Sequence, residues 1–511
     1  MRVPLTVLDF LERAELVYGD RIGVVDEPEQ PAASLGALTW SEVARLARAQ
    51  AAGLDALGVE HGERVAIVSH NSARLLTAFF GVSAYGRVLV PTNFRLNADE
   101  IGYIVEHSGA SVLLVDPELA DALEGVTARH KFVIGKDTDE TLLRYDTEPE
   151  PWIRDEDATG TINYTSGTTA RPKGVQLTHR TLWINATTFG WQTGASDRDV
   201  YLWTLPMFHC NGWGMSYAVT GMGGRHIVLR KIDGAEILRR VEEHGVTFLC
   251  GAPAVVAAII EAAAKWDGPI PGRGRVRMVV AGAPPPTRMI EQMETELGWE
   301  FIQIYGLTET APLLTMSRRR AEWDALTPAE RAQKLGRAGA PALGVRLRIS
   351  DQEEVLARSN VVLEGYWEQA EATAEALAGG WFHTGDGGTI DDDNYLTIND
   401  RQKDVIISGG ENVSSIEVED RLYQHPAVAE ACVIGVPDEK WGETVKALVV
   451  LKPDADATEA DLIVHCRATL SHFKCPTSVE FRSEFARTST GKLQKFKIRE
   501  PYWEGRTRRI N

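Results

Sequence analysis

The densest chemistry in the chain lies in eleven consecutive residues, Tyr164-Thr165-Ser166-Gly167-Thr168-Thr169-Ala170-Arg171-Pro172-Lys173-Gly174. Thr165, Ser166, Thr168 and Thr169 supply hydroxyl donors, and Gly167 and Gly174 let backbone N–H groups approach an anion closely. Lys173 adds a cation that neutralises charge. Together these groups suit a triphosphate. The pattern GxxxxGK[ST] is absent, so this is not a Walker A loop. A Ser/Thr/Gly surface turn has much the same composition, so the loop alone leaves both readings open.

The loop needs a rigid element to present it, and the apolar run Thr161-Ile162-Asn163-Tyr164 reads as the strand that does so. Upstream, Thr39 and Glu42 are spaced as a capping box, and Val43, Leu46, Leu54 and Leu57 share one helical face. Strand Val65–Val68, a helix over 73–85, strand Val88–Val90, a helix over 98–107 and strand Val112–Val115 follow in order. That alternation predicts an α/β layered domain with largely parallel sheets. The acidic, proline-containing segment 136–160 reads as a solvated connection, and Ser317–Lys334 as an exposed helical stretch. From Asp400 the pattern becomes compact. Val405–Ile407, a helix at Ile416–Tyr423, Ala431–Val436 and Val445–Leu451 predict a separate α+β unit, with a boundary at about residue 402.

The 511 residues include 54 Lys+Arg and 72 Asp+Glu, a net charge of −18. Such a balance argues against broad binding to nucleic-acid phosphates or anionic lipid, so a polyanionic ligand needs a local site. The five cysteines (Cys210, Cys250, Cys432, Cys466 and Cys475) are scattered and form no CxxC. They resemble neither a disulfide framework nor a zinc site, and they point to a reducing, cytoplasmic setting. The N-terminus lacks the apolar core of a signal peptide. The most apolar stretch, Thr247–Ala264, is interrupted by Pro253 and Glu261 and reads as a core strand and helix rather than a membrane span.

The glycine-rich loop resembles the phosphate-binding signature of the adenylate-forming (AMP-binding) superfamily, and four further motifs occur in that family's order. These are Tyr305-Gly306-Leu307-Thr308-Glu309-Thr310, Trp381-Phe382-His383-Thr384-Gly385-Asp386, Asp400-Arg401-Gln402-Lys403-Asp404 with Ser408-Gly409-Gly410-Glu411-Asn412, and Arg487-Thr488-Ser489-Thr490-Gly491-Lys492. The resemblance is closest to fatty acyl-CoA synthetases. It implies a large N-terminal domain of layered αβ sheets, residues 1–401, and a small mobile C-terminal α+β domain, residues 402–511. It also implies ATP, Mg2+ and coenzyme A as partners of a small carboxylic acid, and a possible homodimer.

By the same resemblance, Thr165, Ser166, Gly167, Thr168, Thr169 and Lys173 hold the β- and γ-phosphates, and Thr165 and Glu309 position Mg2+. Tyr305 and Gly306 on one side and Gly282, Ala283 and Pro284 on the other bracket adenine, while Thr308 reaches the α-phosphate. Asp386 takes the ribose hydroxyls, and Arg401 faces ribose or phosphate. Lys492 bridges the substrate carboxylate and the α-phosphate. Lys403 is the hinge about which the small domain turns, offering the loop Ser408, Gly409, Gly410 and Glu411 to the incoming thiol. The chemical need is plain: oxide is a poor leaving group, so a carboxylate must first be joined to AMP, and two anions must be brought together.

The string Pro206-Met207-Phe208-His209-Cys210-Asn211-Gly212-Trp213 bears on the acid. Amino-acid-activating members of the family place an Asp after the Phe to hold the substrate ammonium. Here His209 stands there and no acidic residue follows through Tyr217, so an α-ammonium would be buried without a partner. The Phe-His-x-Asn-x-Trp arrangement resembles that of fatty acyl-CoA synthetases, and by that resemblance His209 counts with the catalytic and acyl-pocket residues. Trp213 is either the aromatic gate of an acyl tunnel or a core aromatic. A medium- or long-chain apolar acid is the expectation, with carrier-protein loading and aryl or branched short-chain acids as alternatives. Asp351-Gln352-Glu353-Glu354 runs directly into Val355, where similar enzymes carry a longer hairpin, so either the hairpin is short or residues are missing. The basic tail from Lys492 either helps hold CoA phosphates or is a solvated face.

Overall fold

The computed structural model describes residues 1–165, 172–401, 404–408, 411–438, 441–487 and 493–504. The capping box forms as spaced. Thr39 accepts from Glu42 N while Glu42 accepts from Thr39 N, starting the helix Trp40–Ala56. Its apolar face, Val43, Leu46 and Leu54 included, is buried in the main core. The strands Arg64–Val68, Val88–Thr92 and Ala110–Val115 pair in parallel, as continuous apolar runs with both faces covered must.

Two large sheets result. One has seven strands and ends with Val88–Thr92, Thr159–Thr165, Lys173–Thr178 and the short edge strand Gly365–Tyr366. The other has nine and includes Arg277–Val280, Glu300–Tyr305 and Thr315–Arg318. A four-stranded antiparallel sheet, containing Phe382–Ile390 and Leu396–Arg401, follows them. Strands from Ile406–Ser408 onward join a different, mostly antiparallel sheet, packed under the helices Ser415–Tyr423 and Glu459–Arg467 with its own apolar cluster. The strand Phe248–Gly251 and helix Pro253–Ala263 occupy the most apolar stretch, and no helix among the described residues is long and apolar enough to cross a membrane.

Three local expectations need adjustment. Ser317–Lys334 is neither wholly helical nor wholly exposed: a strand and a 3-10 turn precede the helix Pro328–Leu335, and Trp323, Arg331 and Ala332 are buried. Its alternation of charges hid an amphipathic helix whose Arg331 forks onto Glu294 at 2.9 and 2.5 Å. The segment 136–160 is anchored rather than solvated throughout, because Thr138 and Leu142 are buried and Arg74 holds Asp139. The short hairpin is complete. Arg346–Ile349 and Glu354–Arg358 pair in register, Ser350 N donates to Glu354 O at 2.8 Å, and Glu353 takes the left-handed conformation the tight turn demands.

Candidate active site

The phosphate loop joins two antiparallel strands, with Thr165 directly opposite Lys173. Ser166, Gly167, Thr168 and Thr169 lie outside the described residues, but the stem that presents them is well braced. The Tyr164 hydroxyl and His107 Nδ1 are hydrogen-bonded at 2.8 Å, Trp367 Nε1 donates to the His107 carbonyl, and Trp367 N donates to Gly174 O at 2.7 Å. Burial pushes the Tyr164 phenol far above its usual range, so it stays neutral.

Across the loop stem, the edge strand Gly365–Tyr366 pairs with Gln176 and Val175. This register sets the Tyr366 ring under the Lys173 ammonium, 4.7 Å from nitrogen to centroid. The Tyr366 hydroxyl donates to Glu309 Oε1 at 3.0 Å. Thr165, Lys173, Tyr366 and Glu309 therefore form one continuous chain of contacts between the seven-stranded sheet and the turn after the strand Glu300–Tyr305. That turn is tight. Thr308–Thr310 is a 3-10 turn, Leu363 N donates to Glu309 O at 2.7 Å, and a methyl group at Gly306 would overlap the Pro312 carbonyl oxygen. Gly306 is thus required by close backbone approach.

At the end of the same strand, Tyr305 donates from its hydroxyl to Asp386 Oδ2 at 2.7 Å. Asp386 is 6% exposed and pairs along the backbone with Arg401, whose side chain is outside the described residues. Thr384 Oγ1 accepts from Asp386 N at 3.1 Å and fixes the carboxylate's base. Gly282 follows the strand Arg277–Val280 with φ +94°, and Ala283 and Pro284 continue the loop. Three sheets thus bring Lys173, Glu309, Tyr305 and Asp386 to one region at strand ends, where open α/β sheets bind ligands.

The segment around His209 has an unusual backbone. Cys210, Asn211, Gly212, Trp213 and Gly214 all have positive φ, from +46° to +82°, making a turn of left-handed helix. For the three non-glycine residues this costs about 1–2 kcal/mol each. Trp213 is 3% exposed and His209 half-buried. Cys210 Sγ lies 3.9 Å from the Thr308 carbonyl oxygen, so the turn backs directly onto the Thr308–Glu309 turn.

On the small domain, Ser408 pairs with Glu411 in a hairpin and with Gly442 at the sheet. Gly409, Gly410, Lys403 and Lys492 lie outside the described residues. The small domain touches the large one through Asp420, whose carboxylate accepts from Thr287 N at 2.9 Å and Thr287 Oγ1 at 3.1 Å.

Residues 11–367 match the family described as AMP-binding enzyme, and residues 417–492 match its C-terminal domain. The chain belongs to the AMP-binding enzyme family. A 2-methylpropanoate–CoA ligase of Humulus lupulus is 36% identical, over 97% of this chain and 95% of that protein. A peroxisomal acetate/butyrate–CoA ligase of Arabidopsis thaliana is 37% identical, and a 4-hydroxybutyrate–CoA ligase of Metallosphaera sedula 36%, each over 97% of this chain and 94% of the relative. The crystal structure of an anthranilate CoA ligase with anthranoyl-AMP superposes with a TM-score of 0.87 at 26% identity, covering 98% of this chain and 99% of that one. Membership carries the reaction class: this AMP-binding enzyme is an ATP-dependent acid–CoA ligase.

Two groups of residues escaped the sequence reading. Tyr366 was legible only as a landmark after the short hairpin, since its partners Lys173 and Glu309 are distant in sequence. Asn163 and Asn185 belong to a buried polar network around Asn211. An Asn in the apolar strand 161–164 was the available signal, because a buried amide requires partners.

Proposed function

We propose that this AMP-binding enzyme activates a small apolar carboxylic acid, short-chain and straight or branched, as its acyl-AMP and transfers the acyl group to CoA. The observation that carries this reading is the character of the segment 209–217, which offers no carboxylate. A charged substrate tail would find no partner there. The relatives named for 2-methylpropanoate, acetate/butyrate and 4-hydroxybutyrate support the shorter acids over the medium- and long-chain ones that the motifs first suggested.

In the first step a carboxylate oxygen attacks the α-phosphorus and the bond to the bridging oxygen of the β-phosphate breaks, releasing pyrophosphate. In the second, the CoA sulfur attacks the acyl carbon, AMP leaves, and the thiol proton passes to solvent. Thr165, Ser166, Gly167, Thr168, Thr169 and Lys173 hold the departing phosphates. Tyr305, Gly306 and Gly282–Pro284 flank adenine, Asp386 and Arg401 take the ribose, and Thr308 and His209 border the reacting carboxylate. Lys492 spans the two anions, and Lys403 is the hinge between the two steps.

Glu309 and Thr165 suit Mg2+ that arrives with ATP. One carboxylate and one hydroxyl at the ends of the Tyr366–Lys173 chain are too few for a site built of protein alone, and no cluster of three metal-ligating side chains exists among the described residues. Mg2+ typically takes one or two protein oxygens and completes its shell with phosphates and water. When bound it neutralises phosphate charge. The cysteines, all free and buried, accord with a reducing cytoplasm, although peroxisomal relatives exist.

The test is incubation with ATP, Mg2+, CoA and acids from acetate to octanoate, including 2-methylpropanoate and benzoate. The expected result is AMP and thioester in equal amounts, with the highest kcat/KM for an acid of two to five carbons. Preference for octanoate would overturn the size assignment, and adenylate that accumulates untouched by CoA would overturn the acceptor.

A further inference from the structure

The strand Phe382–Ile390 breaks its pairing with Glu354–Arg358 beside Asp386, the residue that takes the ribose in the proposed reaction. Leu356 pairs with His383 and Glu354 with Gly387, so between them a single residue, Val355, faces Thr384, Gly385 and Asp386. The strand bulges there. At these residues its other edge stays paired, with Asp386 opposite Arg401 and Gly387 opposite Asp400. A bulge bends a strand and re-aims the side chains it carries, and it leaves backbone groups in need of other partners. Gly385 has φ +70°, and a methyl group there would meet nothing within 4 Å. The glycine therefore answers to backbone conformation rather than to crowding.

The Glu354 carboxylate takes the place of the broken ladder. Its Oε1 accepts from Gly385 N at 2.9 Å, and its Oε2 lies 2.9 Å from His383 Nδ1. One side chain thereby grips two of the three residues that precede Asp386. The third is held by Val355, whose carbonyl accepts from Thr384 Oγ1 at 2.7 Å. A carboxylate presents two acceptor oxygens for such a grip, and an amide only one. Glu354 is itself fixed by the short hairpin. Its N donates to Ser350 Oγ at 3.1 Å, its carbonyl accepts from Ser350 N at 2.8 Å, and its side chain is 13% exposed. His383 Nε2 lies 3.3 Å from the Ala378 carbonyl oxygen, which sets the far side of the ring.

We propose that Glu354 is a positioning residue for Asp386: by holding the bulge at His383 and Gly385, it aims the Asp386 carboxylate at the ribose hydroxyls. The proposal rests on the reading of Asp386 as the ribose residue, and it adds what fixes its direction. Asp386 has two anchors of its own, the Tyr305 hydroxyl on Oδ2 at 2.7 Å and Thr384 Oγ1 at its N–H. Neither sets the path of the backbone into the residue. Tyr305 comes from a different sheet, and Thr384 moves with the bulge. Without the Glu354 carboxylate the wide conformational range of Gly385 returns, and a misplacement of about 1 Å is enough to spoil the contact with the sugar.

Calorimetric titration with AMP and with 2′,3′-dideoxy-AMP, which lacks both hydroxyls, separates aim from stability. The wild type should bind AMP about tenfold or more tightly than the dideoxy compound, the worth of a hydrogen bond to a charged group. Asp386→Ala, the reference variant, should bring the two within about twofold of each other. Glu354→Ala should narrow the ratio by about fivefold or more through weaker AMP binding, with the dideoxy compound within about twofold of wild type. Glu354→Gln keeps one acceptor oxygen and should fall between wild type and Glu354→Ala, and it carries the test alone should the Ala variant not fold. Folded Glu354 variants with the wild-type ratio overturn the proposal, as does an equal weakening of both nucleotides, the mark of a structural role alone. A wild type that does not distinguish the two compounds, or an Asp386→Ala protein that still does, defeats the ribose reading instead, and the positioning role falls with it.

Discussion

Tyr366 joins the two halves of the candidate site. Its ring carries the Lys173 ammonium and its hydroxyl carries the Glu309 carboxylate, two groups of opposite charge. Burial and the neighbouring Glu309 push the phenol well above its usual range, so it remains a donor at any working pH. Tyr366→Phe should raise the Mg2+ concentration for half-activation by roughly tenfold, the value of about 1.5 kcal/mol for one hydrogen bond to a charged group. Tyr366→Leu should raise the KM for ATP as well, because the ring under Lys173 is also lost. A metal titration at saturating acid checks both, and an unchanged Mg2+ requirement in the Phe variant would remove Tyr366 from the site. Motif spacing leads to the expectation that Lys173, Glu309, Tyr305 and Asp386 share a site, and the structure brings them to one region. The Tyr366 link was not readable in advance, because nothing in a sequence reports that an edge strand over 190 residues later will pair beside the phosphate loop.

Among the elements, the parallel strands and their helices were plain in advance, since apolar runs such as Ala110–Val115 and the Thr39 cap follow from local chemistry. The left-handed turn was hidden. Asn and Gly tolerate positive φ, but Cys210 and Trp213 give no such hint, and tertiary contacts impose the conformation. The packing behind it makes a second demand. Trp203 Nε1 donates to His226 Nδ1 at 3.1 Å, which requires an unprotonated nitrogen there, and His226 Nε2 lies 3.1 Å from Thr220 Oγ1. Full burial lowers the His226 pKa from its ordinary 6.5 to about 3, and buried His179 falls to about 4. Both are neutral in the fold but take up protons when unfolded below pH 6.5. Their contribution is therefore complete above that pH and is lost as the pH falls towards the folded values. The urea midpoint should drop between about pH 7.5 and pH 5, and His226→Gln should flatten that slope while lowering the midpoint overall. A wild-type midpoint independent of pH over this range would contradict the neutral assignment.

For the molecule as a whole, the two proposed half-reactions call for two arrangements of the small domain. The Asp420–Thr287 contact favours the arrangement seen here over any other. Asp420→Ala should change the rate of adenylate formation relative to thiol transfer by about two- to fivefold, the effect of roughly 1 kcal/mol on one arrangement. Pyrophosphate exchange and thioester formation from supplied acyl-AMP measure the two rates separately, and equal values in wild type and variant would deny the contact any part in the balance. Lys492→Ala should nearly abolish adenylate formation yet leave supplied acyl-AMP able to react with CoA. Equal loss of both would remove the case for two arrangements. The expectation of such motion comes only from the motifs lying on separate units, because a chain of residue types carries no record of how two folded bodies meet.

The Cys210 thiol lies against the Thr308 carbonyl, and on the proposed placement of the acyl-AMP at Thr308 a sulfur nucleophile of the protein's own would compete there with the intended acceptor and end in self-acylation. Burial, reinforced by the Glu309 charge, raises its pKa far above the ordinary 9.0 and keeps it protonated and inert. The intact enzyme should therefore stay unmodified at Cys210 after many turnovers without CoA and resist iodoacetamide in the native state, both read by mass spectrometry. On that placement, the same burial that packs the core would insulate the cysteine from the enzyme's own product.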